Sequence, residues 1–290
     1  MPLEAAASLF SARGTLVVLG GGDDDPMLAR LAAMLPARSV NIEILTTATR
    51  RQPARTAVAY AHAFRQLDCP NVGHLQVDEY HAADEPDTLQ RLRQARLVFM
   101  SGGDQERLTD FLLNTEFLAI LKEKYQQEDD FIIAGTSAGA SALASFMLIY
   151  GHGWRSHMVG QVAVAPGLNL IPGILLDQHF AERQRYPRLL HAVLAQPHLL
   201  GIGLSEETGL IIRPDQPAEV FGDEVVVVID GAAVSYSNLP GLPEDEMISG
   251  HDFRLHILTT GQRIDLVTRR PFNGSEAGSP APAAAKAPRV

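Results

Sequence analysis

The chain is poor in cysteine, in positive charge and in long apolar runs, and each shortage removes a class of protein. Its single cysteine, Cys69, can form no intrachain disulfide and makes a cysteine-based metal site a poor expectation. Lysine and arginine number 24 against 34 aspartate and glutamate, a formal net charge of −10. That sign argues against a nucleic-acid partner and suits a cationic ligand. No stretch approaches the length of a membrane span. Near the start, Glu4 stands where a secretory signal would be basic, and the apolar stretch beside it is very short. The expectation is a cytoplasmic protein with no membrane partner. What remains is ordinary globular composition, 46% hydrophobic and 20% charged, enough for a sizeable core in one large domain or two small ones.

The most informative stretch is FIIAGTSAGASALA, from Phe131 to Ala144. A short apolar strand runs into Gly135-Thr136-Ser137-Ala138-Gly139, and small helix-compatible residues follow. Strand, G-x-S-x-G, helix is the pattern of a nucleophile elbow. The turn is so tight that the serine adopts a strained backbone, which lifts its hydroxyl clear of the sheet edge. Gly135 and Gly139 flank it because side chains there would collide with the neighbouring strand or helix. The Ala138 amide, at a helix N-terminus, points to where an oxyanion would form. The alternative is a small-residue turn without chemistry.

Along the chain, strands at 15–19, 41–46, 71–77 and 96–100, the first and last of them apolar, alternate with helical stretches at 26–35, 52–67, 87–94, 105–113 and 115–126. This alternation predicts an α/β fold, a mostly parallel sheet with helices on both faces. In such sheets ligands bind at the carboxyl ends of the strands. Gly20-Gly21-Gly22 follows the first strand, but no lysine follows and Asp23, Asp24 and Asp25 would repel phosphate, so it reads as a structural turn. Asp25 is the expected cap of the first helix. After the elbow, 151–170 reads as loop, 174–176 as a strand, and 181–195 as a helix that Pro187 must break or kink. The stretches 208–213, 218–221 and 224–230 look like an antiparallel meander, and 254–258 like a last strand. A single domain over 1–272 is expected, with 273–290, rich in proline, alanine, glycine and serine, as a disordered tail.

A serine nucleophile needs a base and the base an acid. Of ten histidines, His179 ends an apolar strand and precedes a helix, which can place it on the edge that carries Ser137. Glu206 ends another apolar run and can accept from its imidazole. The competing arrangement uses His251 as base with Asp177 or Asp230 as acid.

Several motifs together resemble the cyanophycinases, within a family of serine peptidases that also holds aspartyl dipeptidases. They are Gly102-Gly103-Asp104-Gln105, GTSAGA from Gly135, APGL from Ala165, DQHF from Asp177, the spaced Arg183, Arg185 and Arg188, and GIGLSEET from Gly201. The resemblance runs from about residue 14 to about residue 230. It implies a fold like the class I glutamine amidotransferases, related to flavodoxin. No metal-ligand cluster is visible in the sequence, and no metal or cofactor is expected. Carried across, it puts the nucleophile on Ser137, the base on His179 and the acid on Glu206. It puts the oxyanion donors on Ala138 and the Gly102-Gly103 turn, and substrate contacts on Gln105, Asp177, Gln178, Arg183, Arg185 and Arg188. The implied substrate is cyanophycin, a polyaspartate with arginine on each side-chain carboxyl, the product β-Asp-Arg, and the assembly a homodimer.

Two stretches depart from the family pattern. Ser205-Glu206-Glu207-Thr208-Gly209 stands where Asp-Glu-Asp-Thr-Ala is usual, and alignment on Thr208 selects Glu206. Tyr150 to His157, YGHGWRSH, is also unlike it. Among rivals, a glutamine amidotransferase needs a cysteine at the elbow, where this chain has Ser137. A binding module without catalysis would be favoured by loss of the serine, the histidine or the acid, and all three are present.

Overall fold

The computed structural model describes residues 12–272. Strand β1 (Thr15–Leu19) is followed by α1 (Asp25–Met34), β2 (Ile42–Leu45), α2 (Pro53–Gln66), β3 (Val72–Leu75), α3 (Pro86–Gln94), β4 (Leu97–Met100), α4 (Gln105–Leu112), α5 (Glu116–Gln127), β5 (Ile132–Thr136) and α6 (Ala138–Leu143). Then come β6 (Ala144–Tyr150), a 3-10 turn (Gly153–His157), β7 (Ala163–Pro166), β8 (Ile171–Asp177), α7 (Tyr186–Ala195), β9 (Leu200–Leu204), β10 (Thr208–Ile212), β11 (Ala218–Gly222) and β12 (Val226–Asp230). The described chain closes with β13 (Tyr236–Ser237), β14 (Gly250–His251), β15 (Arg254–Leu258), β16 (Arg263–Asp265) and β17 (Arg270–Phe272).

The first half makes the expected parallel sheet. A nine-stranded sheet has the order β17-β16-β11-β10-β1-β5-β4-β2-β3. Its β1, β5, β4, β2 and β3 are mutually parallel. β1, β2, β4 and β5 are buried at every position, Glu43 of β2 included, as befits strands covered on both faces. Proline stands in the first turn of α1, α2, α3 and α7, where its missing N–H breaks no helical hydrogen bond.

A second sheet was not expected from the sequence. Its order is β15-β12-β9-β8-β6-β7, six strands in all, with β6, β8 and β9 parallel. The C-terminal strands are antiparallel as expected, but they do not form one meander. β10 and β11 extend the large sheet from β1, whereas β12 pairs with β9 and β15 in the second sheet. Side chains of both sheets, Leu16 and Leu210 from one and Leu176 and Ile202 from the other, belong to one apolar core.

Three local expectations need correction. Pro187 does not kink a helix running from 181; it stands in the first turn of α7, which begins at Tyr186. The stretch 151–170 holds a 3-10 turn and β7. Asp25 begins α1 instead of capping it. Asp24 holds the cap position with no side-chain cap bond, because its carboxylate is turned to Tyr60 and Thr136. The tail at 273–290, expected to be disordered, lies outside the described residues. Among the described residues no helix is long and apolar enough to cross a membrane.

Candidate active site

The site forms where three strands end beside one another. β5 delivers Ser137, β8 leads to His179, and β9 leads to Glu206. The serine sits between strand and helix at φ 52, ψ −113, outside the ordinary regions for a residue with a side chain. His179 (φ 46) and Glu207 (φ 50) are also left-handed. Such conformations cost about 1–3 kcal/mol each and persist only where the surroundings dictate them.

Here the end of β1 dictates them. The Ser137 amide donates to the Leu19 carbonyl at 3.0 Å, the His179 amide to Gly20 at 2.9 Å, and the Glu207 amide to Gly21 at 2.8 Å. Three consecutive carbonyls thus fix all three segments. The glycines are required by closeness. A Cβ on Gly20 would lie 1.8 Å from the Ser205 carbonyl oxygen, and one on Gly21 2.4 Å from the His179 ring. The reading of Gly20-Gly21-Gly22 as a structural turn is right, but sequence reasoning missed that it organises the site. The signal was three glycines ending a central strand. At the elbow, a Cβ on Gly135 would lie 2.5 Å from the Gly139 backbone, and one on Gly139 2.3 Å from the Met100 carbonyl oxygen.

The side chains then line up. Ser137 Oγ is 2.8 Å from His179 Nε2, and His179 Nδ1 is 2.5 Å from Glu206 Oε1. Nδ1–H therefore donates to the carboxylate, which leaves Nε2 to accept from the serine hydroxyl. Burial pushes the imidazole pKa down; the hydrogen bond to Glu206 opposes this, and the positive charge of Arg183 adds to it. The ring is therefore neutral at neutral pH. Glu206 meets the imidazole; Glu207 does not. The competing histidine, His251, lies in the separate β13–β14 hairpin against Tyr236, and Asp230 is engaged by Arg269.

A second carboxylate stands behind the elbow and was also missed. Asp24 accepts from the Thr136 hydroxyl at 2.8 Å and from the Tyr60 hydroxyl at 2.7 Å. Burial raises its pKa. It ties the residue before the serine to the start of α1. Ala138 is the first residue of α6, so its N–H has no partner within the helix. Gly102 approaches from β4, and a Cβ there would lie 3.3 Å from Ser137 Cβ.

The residues read as substrate contacts divide into two groups. Asp177, Arg185 and Arg188 are buried and face each other. Arg188 Nε donates to Asp177 Oδ2 at 2.6 Å, its Nη2 donates to Oδ1, and Arg185 Nη1 donates to Oδ1 at 3.0 Å. Arg185 Nη1 also donates to the Gln178 carbonyl and side chain at 2.6 and 3.0 Å. Burial lowers the Arg185 pKa to about 10. Asp177, expected to meet an amine or guanidinium of the substrate, meets these two guanidinium groups of its own chain instead. Arg183 alone of the three arginines is exposed. Gln105 Nε2 donates to the Leu148 carbonyl at 2.9 Å. Among the described residues no group of three or more histidine, cysteine or acidic side chains is placed to hold a metal ion.

An α/β fold with an elbow serine under a neutral imidazole is the architecture of a serine hydrolase. Comparison with known proteins narrows the class. The sequence model of Peptidase family S51 matches residues 16–220. The cyanophycinase of Geminocystis herdmanii is 30% identical over 90% of this chain and 97% of its own length. That of Trichormus variabilis is 31% identical over 88% and 86%, and that of Synechococcus elongatus 31% identical over 89% and 81%. The crystal structure of a peptidase from an acI-B1 Actinobacterium superposes with a TM-score of 0.62, at 23% identity, over 88% of this chain and 98% of that one; this likeness supports the fold. The chain belongs to peptidase family S51.

The two groups of arginines should separate in stability. Arg188→Ala leaves the buried Asp177 carboxylate short of its main partner and should destabilise the fold by about 3–5 kcal/mol. Arg183→Ala, at an exposed position, should stay within about 0.5 kcal/mol of the parent. Urea unfolding of both variants checks this, and equal losses would contradict the division.

Proposed function

We propose that this peptidase hydrolyses cyanophycin to β-Asp-Arg dipeptides through a Ser137–His179–Glu206 triad and an acyl-enzyme. The observation that carries the reading is the continuous hydrogen-bond chain from Glu206 through His179 to Ser137, in a chain whose curated relatives are cyanophycinases. Ser137 Oγ attacks a backbone aspartyl carbonyl while His179 Nε2 takes its proton. Glu206 holds the tautomer and stabilises the imidazolium. The Ala138 N–H and one N–H of the Gly102-Gly103 turn receive the oxyanion. The imidazolium returns the proton to the leaving amine, and water, activated by the same ring, hydrolyses the ester. Arg183, exposed and close enough to His179 to depress its pKa, is assigned to a substrate carboxylate, which a guanidinium binds bidentately. Asp177, Arg185 and Arg188 support the loop that bears His179. Gln105 and Gln178 border the same loops.

Mass spectrometry after incubation with cyanophycin should find β-Asp-Arg as the dominant product, and none with Ser137→Ala. Casein and α-linked polyaspartate should be poor substrates. Efficient cleavage of either, with cyanophycin intact, would refute the substrate and leave a serine peptidase of unknown substrate.

The pH profile has a defined sign. The base must be neutral, so kcat/KM falls as pH drops through the His179 pKa. Burial and Arg183 hold that pKa below the ordinary histidine value. Arg183→Gln removes a like charge, so the acid limb should move to higher pH. An unmoved limb, or one moved to lower pH, would contradict the assignment.

A further inference from the structure

The Tyr150–His157 stretch, unlike the family pattern, lies on the rim of the site. β6 runs parallel to β8 with Met147 opposite Leu176. Chain leaving β6 at Tyr150 therefore departs from the sheet edge that carries Asp177, Gln178 and His179. The Gln105 bond to Leu148 ties the same strand to the Gly102-Gly103 turn.

The stretch is fastened from beneath. Arg188 Nη1 donates to the Gly151 carbonyl at 3.4 Å, and His191 Nδ1 to that of Ser156 at 2.8 Å. Ser156 is buried. Yet its rings face outward: Tyr150 is 46% exposed and Trp154 65%. The Tyr150 ring meets His152 edge-on at 5.5 Å. Trp154 already carries a guanidinium, that of neighbouring Arg155, 5.9 Å from its ring centre. Beside it runs 243–248, joined by Val159 N to the Glu246 carbonyl at 3.0 Å and Ile248 N to that of His157 at 2.8 Å. This places exposed Glu244, Asp245 and Glu246 beside residues 157–161, where the stretch continues: Glu244 lies against Gly160, and Asp245 accepts from Gln161 Nε2 at 3.1 Å.

Two exposed aromatic side chains, one already holding a guanidinium, in a segment that continues into negatively charged neighbours, are complementary to a planar cation. Aromatic faces attract guanidinium groups, and carboxylates add a long-range pull. We infer that the Tyr150–Trp154 rim is a subsite for guanidinium side chains of an extended substrate, remote from the scissile bond. The inference rests on the polymeric substrate proposed above, in which every backbone residue carries such a group. Bound arginine displaces Arg155 from the Trp154 face, and the rim holds the polymer while its end is processed.

Trp154 is the one tryptophan of the chain, so its emission reports on the rim alone. Ser137→Ala binds without turnover. Titrating it with cyanophycin oligomers of several units should change the emission saturably, and a single dipeptide should not. In the active protein, Trp154→Ala should lower the ratio of kcat/KM for long over short oligomers about ten-fold, the size of one cation–π contact, with Trp154→Phe recovering part. If the parent cleaves cyanophycin but emission and ratio stay unchanged, the subsite is refuted and the proposed function stands. If the parent does not cleave it, the function itself falls and the subsite with it. A change of oligomeric mass in Trp154→Ala, with the ratio intact, would make the rim a contact between copies and refute the subsite.

Discussion

Everything in the site depends on three successive carbonyls at the end of β1. Leu19, Gly20 and Gly21 accept the amides of Ser137, His179 and Glu207, residues far apart in sequence. Each of these amides belongs to a left-handed residue, which the loops would not adopt alone. The hydrogen bonds turn three strained loop positions into one rigid constellation, and glycine is the only residue that lets the backbones approach so closely. The geometry of the site is thus a property of the central strand as much as of the elbow.

A second constraint is electrostatic. Two guanidinium groups and one carboxylate lie buried behind the loop that bears His179. A buried carboxylate is tolerated because Arg188 meets it with a two-pronged fork and Arg185 adds a third bond. With Arg183 on the surface, this leaves positive charge near the imidazole, which works with burial to keep it neutral. A neutral ring is what a general base needs. Packing and chemistry are therefore coupled: the ion cluster holds the loop in place and sets the charge environment of its histidine.

Much of this was legible beforehand. Apolar runs gave β1, β4 and β5 because strands buried on both faces leave no polar alternation to misread; β2 was legible although Glu43, paired with Arg91, is buried within it. The elbow was legible because its steric demands select glycine at two fixed positions. Glu206 came from alignment on Thr208, and the structure puts that carboxylate on the imidazole. The second sheet was hidden, since β12 and β10 look alike as apolar runs and pairing partners are set by tertiary contacts. Burial misled in a different way. The resemblance assigned all three spaced arginines to the substrate; their spacing says that they do not share one helical face, but not that Arg185 and Arg188 are the ones that turn inward to Asp177. Asp24 escaped notice because a run of three aspartates reads as a cap and a turn.

The central claim is that the β1 carbonyls present Ser137 to His179 as an activated nucleophile. Its most direct test is reaction with a fluorophosphonate, followed by peptide mapping of the adduct. The account predicts one adduct, on Ser137, formed at a rate that collapses in His179→Ala although the fold is retained. An adduct on another serine, or equal rates with and without the imidazole, would contradict it.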